Sequence, residues 1–317
     1  MNAKDITQKD PPAPLVPFEE ALLNTYSDSE MRKFIYWSPC LLTTREEAVT
    51  LLSPNLVVKQ SGRDPDQHYL DEALALRRAR SVGLRAPKVH RMVPMDDENE
   101  DEGQFLILER VHGSTLEQLW PTIRIWTLFS AAWQLRGYLR TLRGVGSSTT
   151  GGLHSGWTHS TRLDAIHGPI RHASPSAFVG YLNWWLLDCR PGILTPRQDL
   201  VLQPEQEHIL VHQDLAPRNM ILDNSGKLWL VDWGHAGFYP PFMEFLGIEA
   251  RTSAMPWLTK NTWSAWWGCV KWSFFRWVAA GPSSSHQRAR KALACVSIRT
   301  QRYRMDRSPF SDSSFKA

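Results

Sequence analysis

Residues 212–232 read as a polar loop, a tight hairpin and a second polar position, and no other segment constrains the fold as much. The loop is His212-Gln213-Asp214-Leu215-Ala216-Pro217-Arg218-Asn219. Met220, Ile221 and Leu222 form an apolar run, Asp223-Asn224-Ser225-Gly226 a turn, and Leu228, Trp229, Leu230 and Val231 a second run, which together predict a β-hairpin. A hairpin returns the chain to its start, so Asn219 and Asp232 are expected side by side although distant in sequence. The segment then offers Asp214 together with an amide and a second carboxylate. Phosphoryl transfer asks for a carboxylate near the attacking hydroxyl and for oxygen ligands to magnesium.

The segments upstream read as strands and helices. Residues 55–59 form a short buried strand ending in Lys59, and residues 67–80 turn helical, with Leu70, Ala73, Leu74 and Leu76 as an apolar stripe. Arg77, Arg78 and Arg80 lie near the end of that helix, Gly83 stops it, and Glu72 sits within it beside Asp71. Residues 104–109 are apolar on both faces, as a central strand is. His112-Gly113-Ser114 breaks this strand, and Ser114 with Glu117 predicts a capped helix from about Leu116. Leu128, Ala131, Ala132, Leu135, Leu139 and Leu142 recur at helical spacing over residues 126–143. Ser174-Pro175 opens a further helix through Phe178, Leu182, Trp185 and Leu186. The Gly-, Ser- and Thr-rich stretch 144–156 lacks a suitably placed Lys and reads as a loop, as does the acidic run 96–102.

With 317 residues the chain exceeds one typical domain, and two lobes are expected. Cys40, Cys189, Cys269 and Cys295 are scattered without a CxxC pair, which argues against a zinc site and a disulfide scaffold and favours a reducing, cytoplasmic setting. The N-terminus has no apolar core of a signal peptide, and the apolar stretch 263–280 carries Lys271 and Arg276 centrally, so no transmembrane segment is expected. The Trp-rich stretch 257–277 is read as core packing rather than the lining of an acceptor pocket. Net charge is only +4, and the basic end, with Arg288, Arg290, Lys291, Arg299, Arg302, Arg304 and Arg307, is read as a solvated or disordered tail; no nucleic-acid partner is expected.

The pattern His212-x-Asp214-x4-Asn219, the hairpin, and Asp232-Trp233-x-x-Ala236-Gly237-x-x-Pro240 resemble the aminoglycoside phosphotransferase / choline kinase group of protein-kinase-like enzymes, with particular likeness to fungal phosphotransferase-like proteins. The likeness runs from about Val57 to about Glu249. It implies an α+β, bilobal fold, with a small N-lobe of antiparallel sheet plus helix and a larger, mainly helical C-lobe. By this likeness Asp214 is the catalytic base, Asn219 and Asp232 hold Mg2+, and Lys59 with its helix partner Glu72 holds the ATP phosphates. His212 props the loop without doing chemistry. Residues 108–111 form the hinge, where the backbone at Glu109 and Val111 takes the adenine.

The division expected is a mobile arm over 1–30, an N-lobe over 31–111, a helical C-lobe over 112–281 and a basic tail over 282–317. The activity implied is ATP- and Mg-dependent phosphorylation of a small-molecule hydroxyl or amine. The chain departs from the kinase pattern at several points. No glycine lies between Tyr36 and Gln60, where the phosphate-covering loop belongs, so a pseudokinase that binds nucleotide without turnover is the alternative. Gln213 stands where a small residue is usual. Ala216 stands where protein kinases carry a Lys, and Trp233 to Phe242 is too short for an activation segment, which favours a small acceptor over a protein. Arg218 is read as an exposed cation rather than a phosphate contact.

Overall fold

The computed structural model describes residues 14, 16–43, 47–61, 68–95, 103–158, 171–188, 195–252 and 284–305. Two compact units emerge, one of Met1–Tyr69 with Pro87–Val111 and one of Leu70–Ala86 with His112–Ala317.

The first unit is built on five antiparallel strands: β1 (Cys40–Thr43), β2 (Glu47–Ser53), β3 (Leu56–Ser61), β4 (Val89–Pro94) and β5 (Gln104–Glu109), in the order β1-β2-β3-β5-β4. Helix α1 (Asp28–Trp37) starts at a capping box in which Ser27 and Glu30 satisfy each other's backbone amides. Its buried Met31, Phe34 and Ile35 form one core with Leu52, Val58, Val93, Phe105 and Ile107 of the sheet. Phe18 and Tyr26 pack against the same core, and Arg91 donates to the Leu23 and Tyr26 carbonyls at 2.8 and 2.7 Å and pairs with Asp28. The arm expected over 1–30 therefore does not include residues 18–30. The proline cluster ends at Pro17, and the aromatic residues and the capping box behind it belong to the packed unit.

In the second unit, α2 (His68–Ser81) ends in a Schellman turn, with Gly83 at φ +89° and the Leu84 amide reaching back to the Ala79 carbonyl. From Leu70 this helix groups with the second unit rather than with the sheet that precedes it in sequence. Strand β6 (Gly113–Thr115) leads into α3 (Leu116–Leu119), whose cap is Thr115 with Gln118 completing the box. The helix starts at Leu116 as expected, but the predicted cap, Ser114, is paired with Leu222 in a sheet, so the capping passes to Thr115 and Gln118.

Helix α4 (Ile125–Leu142) buries the six residues that set its period: Leu128, Ala131, Ala132, Leu135, Leu139 and Leu142. Each of the leucines contributes about 1.5–3 kcal/mol through burial. Strand β7 (Gly146–Ser147) follows, then α5 (Pro175–Leu187), capped by Ser174 as its sequence predicts. Strands β8 (His208–Val211), β9 (Met220–Asp223), β10 (Leu228–Leu230) and β11 (Gly237–Tyr239) make two small antiparallel sheets, β10-β9-β6 and β11-β8-β7. Helix α6 (Phe242–Thr252) comes next.

The basic end is not a solvated tail over its described length. Residues Ser284–Met305 form helix α7, which packs against α5 and buries Ala289, Ala292, Leu293 and Val296 at i, i+3, i+4 and i+7. Arg299 is 2% exposed and donates to the Trp185, Leu186 and Thr195 carbonyls at 2.6, 2.8 and 2.6 Å. It thereby satisfies carbonyls in the last turn of α5 that have no partner within their own helix. The expectations for 96–102 and 257–277 lie outside the described residues. Among the described residues no helix is long and apolar enough to cross a membrane.

Candidate active site

The hairpin closes as the sequence predicts. Leu228, Trp229 and Leu230 pair with Leu222, Ile221 and Met220, and the Val231 amide then donates to the Asn219 carbonyl at 3.0 Å. This last bond brings Asp232, one residue on, beside Asn219. The turn is held by Asp223, whose carboxylate accepts from the Ser225 and Lys227 amides, the Ser225 hydroxyl and the Trp229 indole, which holds its pKa well below the usual carboxylate range. Gly226 supplies the positive φ the turn needs.

Strand β8 delivers the chain to the loop at His212, which is fully buried. The Asp214 amide donates to His212 Nδ1 at 3.3 Å, so Nε2 carries the proton and donates to the Val231 carbonyl at 3.1 Å. Burial depresses the pKa of this imidazole and keeps it neutral, and its ring lies 4.6 Å from that of Trp233. His212 thus ties the loop to the far end of the hairpin, the propping role the family likeness implies.

Gln213 adopts φ +62°, a left-handed backbone that costs a non-glycine residue about 1–3 kcal/mol. This explains why a small residue is usual here, and the structure shows what holds Gln213 in place. Glu244, on α6, accepts from the His212 and Gln213 amides at 2.6 and 2.9 Å, and the Gln213 side-chain amide donates to the His235 carbonyl. Gly247 allows the close approach, since a Cβ there would lie 2.3 Å from the Gln213 carbonyl oxygen. Burial pushes the Glu244 carboxyl up to about 7, against the two amide bonds and the positive charge of Arg143, which favour ionisation. Sequence reading missed Glu244. The available signal was a lone acid inside the apolar run Phe242-Met243-Glu244-Phe245-Leu246.

Asp214 is 2% exposed, and its Oδ2 accepts from Arg218 at 2.7 Å and from the Asn219 side-chain amide at 3.0 Å. Arg218 is therefore part of the site, which revises its reading as a mere surface cation. Asn219 also donates to the Asp214 carbonyl at 2.9 Å, so both its bonds use Nδ2 and its Oδ1 is kept as an acceptor. Asp232 is half-buried at φ +64°, a second left-handed residue in the same site. An amide oxygen and a carboxylate are hard donors that suit Mg2+, a metal that completes its shell with water and phosphate oxygens. Among the described residues no group of three or more His, Cys, Asp or Glu could hold a metal ion.

The remaining predicted residues lie on regular structure. Lys59 sits mid-strand rather than at a strand end, opposite Val49 of β2 and Leu106 of β5, and is 6% exposed. Glu72 and Asp71 are both buried in the first turns of α2. Asp71 accepts from the His154 and Ser155 amides and the Ser155 hydroxyl, so it is committed to a neighbouring loop. The Glu109 carboxylate accepts from the Lys88 amide at 3.0 Å, its own amide donates to the Lys88 carbonyl, and the Arg110 amide donates to Asn55. Val111, half-buried, is the last residue of the first unit.

A family model described as the phosphotransferase enzyme family matches residues 45–269. The aminoglycoside phosphotransferase APH(3'')-Id from Streptomyces rimosus is similar in structure, with a TM-score of 0.51 at 14% identity over 82% of this chain and 92% of that one. The GDP complex of wild-type aminoglycoside 2'-phosphotransferase-IIIa has a TM-score of 0.50 at 14% identity over 87% of each chain. No curated protein sequence matches. At such identities the structures speak for the kinase-like fold, whereas the family model spans most of the chain: this protein belongs to the phosphotransferase enzyme family.

Proposed function

We propose that this protein transfers the γ-phosphoryl group of ATP to a hydroxyl (or amine) of a small molecule. The observation that carries this reading is the arrangement of Asp214, Asn219 and Asp232. One hairpin ties all three together, and the Asn219 amide fixes the Asp214 carboxylate while keeping its own oxygen for metal. As the acceptor oxygen bonds to the γ-phosphorus and the bond to the ADP oxygen breaks, Asp214 takes the acceptor's proton. Magnesium, when bound by Asn219 and Asp232, offsets charge on the phosphate oxygens. Arg218 holds the Asp214 carboxylate from its solvent side. Lys59 is assigned to the phosphates, with Glu72 as the acid that keeps it extended and charged.

The Glu109 and Arg110 amides are bonded to the Lys88 and Asn55 carbonyls, and contacts to the base are assigned, by the family likeness, to the backbone at Glu109 and Val111. GTP is the competing donor, since one structural relative is a GDP complex. Residues 44–46, between β1 and β2, lie outside the described residues, so the glycine-poor segment is judged by experiment. Calorimetric titration with ATP and GTP, with and without Mg2+, tests the reading. It predicts Mg-dependent nucleotide binding that Asp232→Ala weakens and Lys59→Met weakens further. Binding of neither nucleotide would sink it, and binding without transfer to any acceptor identifies a pseudokinase.

A further inference from the structure

The stretch 144–156, read from sequence as a plain loop, has a connection that the proposed reaction does not use. Asp71 precedes Glu72 on α2, and its carboxylate faces this loop. Oδ1 accepts from the His154 and Ser155 amides at 2.5 and 3.0 Å, and Oδ2 accepts from the Ser155 hydroxyl at 2.5 Å. Asp71 and Ser155 are 2% and 8% exposed, so these bonds form away from water. Gly152 is shaped to the same carboxylate, because a Cβ there would lie 2.2 Å from Asp71 Oδ2.

The other end of the loop is tied to the catalytic segment. Gly151 and Phe238 exchange two backbone bonds of 2.9 and 2.8 Å, an isolated β-bridge. Phe238 is the centre of β11, whose Gly237, Phe238 and Tyr239 pair with Val211, Leu210 and Ile209 of β8. Strand β8 runs directly into His212 and Asp214. An unbroken series of bonds therefore runs from Asp71 through residues 151–155 and β11 to the catalytic loop.

We infer that Asp71 is a positioning residue, and that the loop 151–155 is a tether fixing α2, and with it Glu72, to the framework that holds Asp214. The functional half of this inference rests on the role proposed for Glu72, while the mechanical half does not. A helix so tied has no freedom to swing away from the framework that carries Asp214 when nucleotide is absent. Two adjacent acids on one helix then divide the work, Asp71 fixing the helix and Glu72 serving the phosphate-binding lysine.

Two mild variants of the full chain test this without deleting the buried carboxylate. Gly152→Ala pushes a methyl into Asp71, and Ser155→Ala removes the hydroxyl that donates to it. In each, amide hydrogen exchange over residues 72–80 in the nucleotide-free protein is expected to rise about tenfold, the scale of one buried charge-assisted bond. Mg-ATP affinity is expected to fall about tenfold in the wild-type background and less than about twofold in a Glu72→Gln background. Unchanged exchange in α2 in both variants, with faster exchange confined to the loop, would overturn the tether. Equal weakening of Mg-ATP in both backgrounds would overturn its link to Glu72. Should Glu72→Gln alone leave nucleotide binding intact, the role proposed for Glu72 fails, and exchange in α2 still decides the tether.

Discussion

Lys59 and Asp214 stand on opposite kinds of backbone. Lys59 occupies the central strand of a regular antiparallel ladder, flanked by Val49 and Leu106, and its position follows from register alone. Asp214 follows the left-handed Gln213 in a loop that no repeating pattern of bonds holds in place, and Asp232, after the hairpin, is left-handed too. Side chains gathered from elsewhere hold it: Glu244 from α6, His212 from the loop itself, and Asn219 and Arg218 from the turn that follows. The phosphate contact proposed for Lys59 tolerates the latitude of a long side chain. A carboxylate that must meet one proton does not, and strain is tolerated where the surroundings determine the geometry many times over.

This contrast can be broken by mutation. The largest effect belongs to Asp232, the proposed metal carboxylate. Asp232→Ala should lower kcat by a factor of about a thousand or more with little change in melting temperature, whereas Lys59→Met should act mainly by raising the nucleotide KM about ten- to a hundredfold. Steady-state kinetics on both variants distinguishes the two kinds of site. Equal kcat and KM effects in the two would erase the contrast.

Next comes the support beneath the loop. Glu244→Ala leaves the His212 and Gln213 amides without their acceptor and should cost about 2–5 kcal/mol in urea unfolding, with a loss of kcat larger than that of KM. Its pH dependence is specific. The folded pKa of about 7 lies above the ordinary value of 4.5, so the folded state binds the extra proton. This contribution to stability is full below pH 4.5 and is lost as pH rises through 7, an amount of up to about 3 kcal/mol. Glu244→Gln should flatten the stability profile across that window, and a profile unchanged by the substitution would count against the buried carboxyl as its source.

Arg299→Met probes the end of the chain that sequence reading misplaced. Loss of its contacts to two carbonyls at the end of α5 and to that of Thr195 should cost about 2–3 kcal/mol of stability while leaving nucleotide KM near its wild-type value. The smallest effect is Gln213→Gly. Relief of the left-handed strain roughly offsets the lost bond to His235, so stability should move by less than about 1 kcal/mol, whereas Gln213→Val should lose about 2 kcal/mol or more. Thermal melts of the pair read this directly.

What could be read from sequence follows from how local each signal is. The hairpin was legible because Asp223 to Gly226 is a turn whose side chain satisfies its own backbone, with apolar runs on either side. Helix α4 was legible because six apolar residues share one period. Arg299 was not, because a basic residue on a polar helix looks solvated until the three carbonyls it serves are brought to it from over a hundred residues away. Glu244 and Asp71 were hidden for the same reason: each is an acid whose partners are backbone amides of a distant loop, and amides carry no sequence signature. Ser114 misled because two adjacent hydroxyl residues, Ser114 and Thr115, both qualify as a cap, and pairing of β6 with β9 decides between them.

The central claim is that Asp214 serves as the base for transfer of phosphate to a small molecule. The direct measurement is transfer of labelled γ-phosphate from Mg-ATP to a panel of small alcohols, sugars and amines by the wild type and by Asp214→Asn, an isosteric change that keeps the loop's shape. The account predicts a labelled product with at least one acceptor, formed faster by the wild type than by the variant by a factor of about a thousand. Nucleotide binding by both proteins with equal, background-level transfer to every acceptor would contradict it.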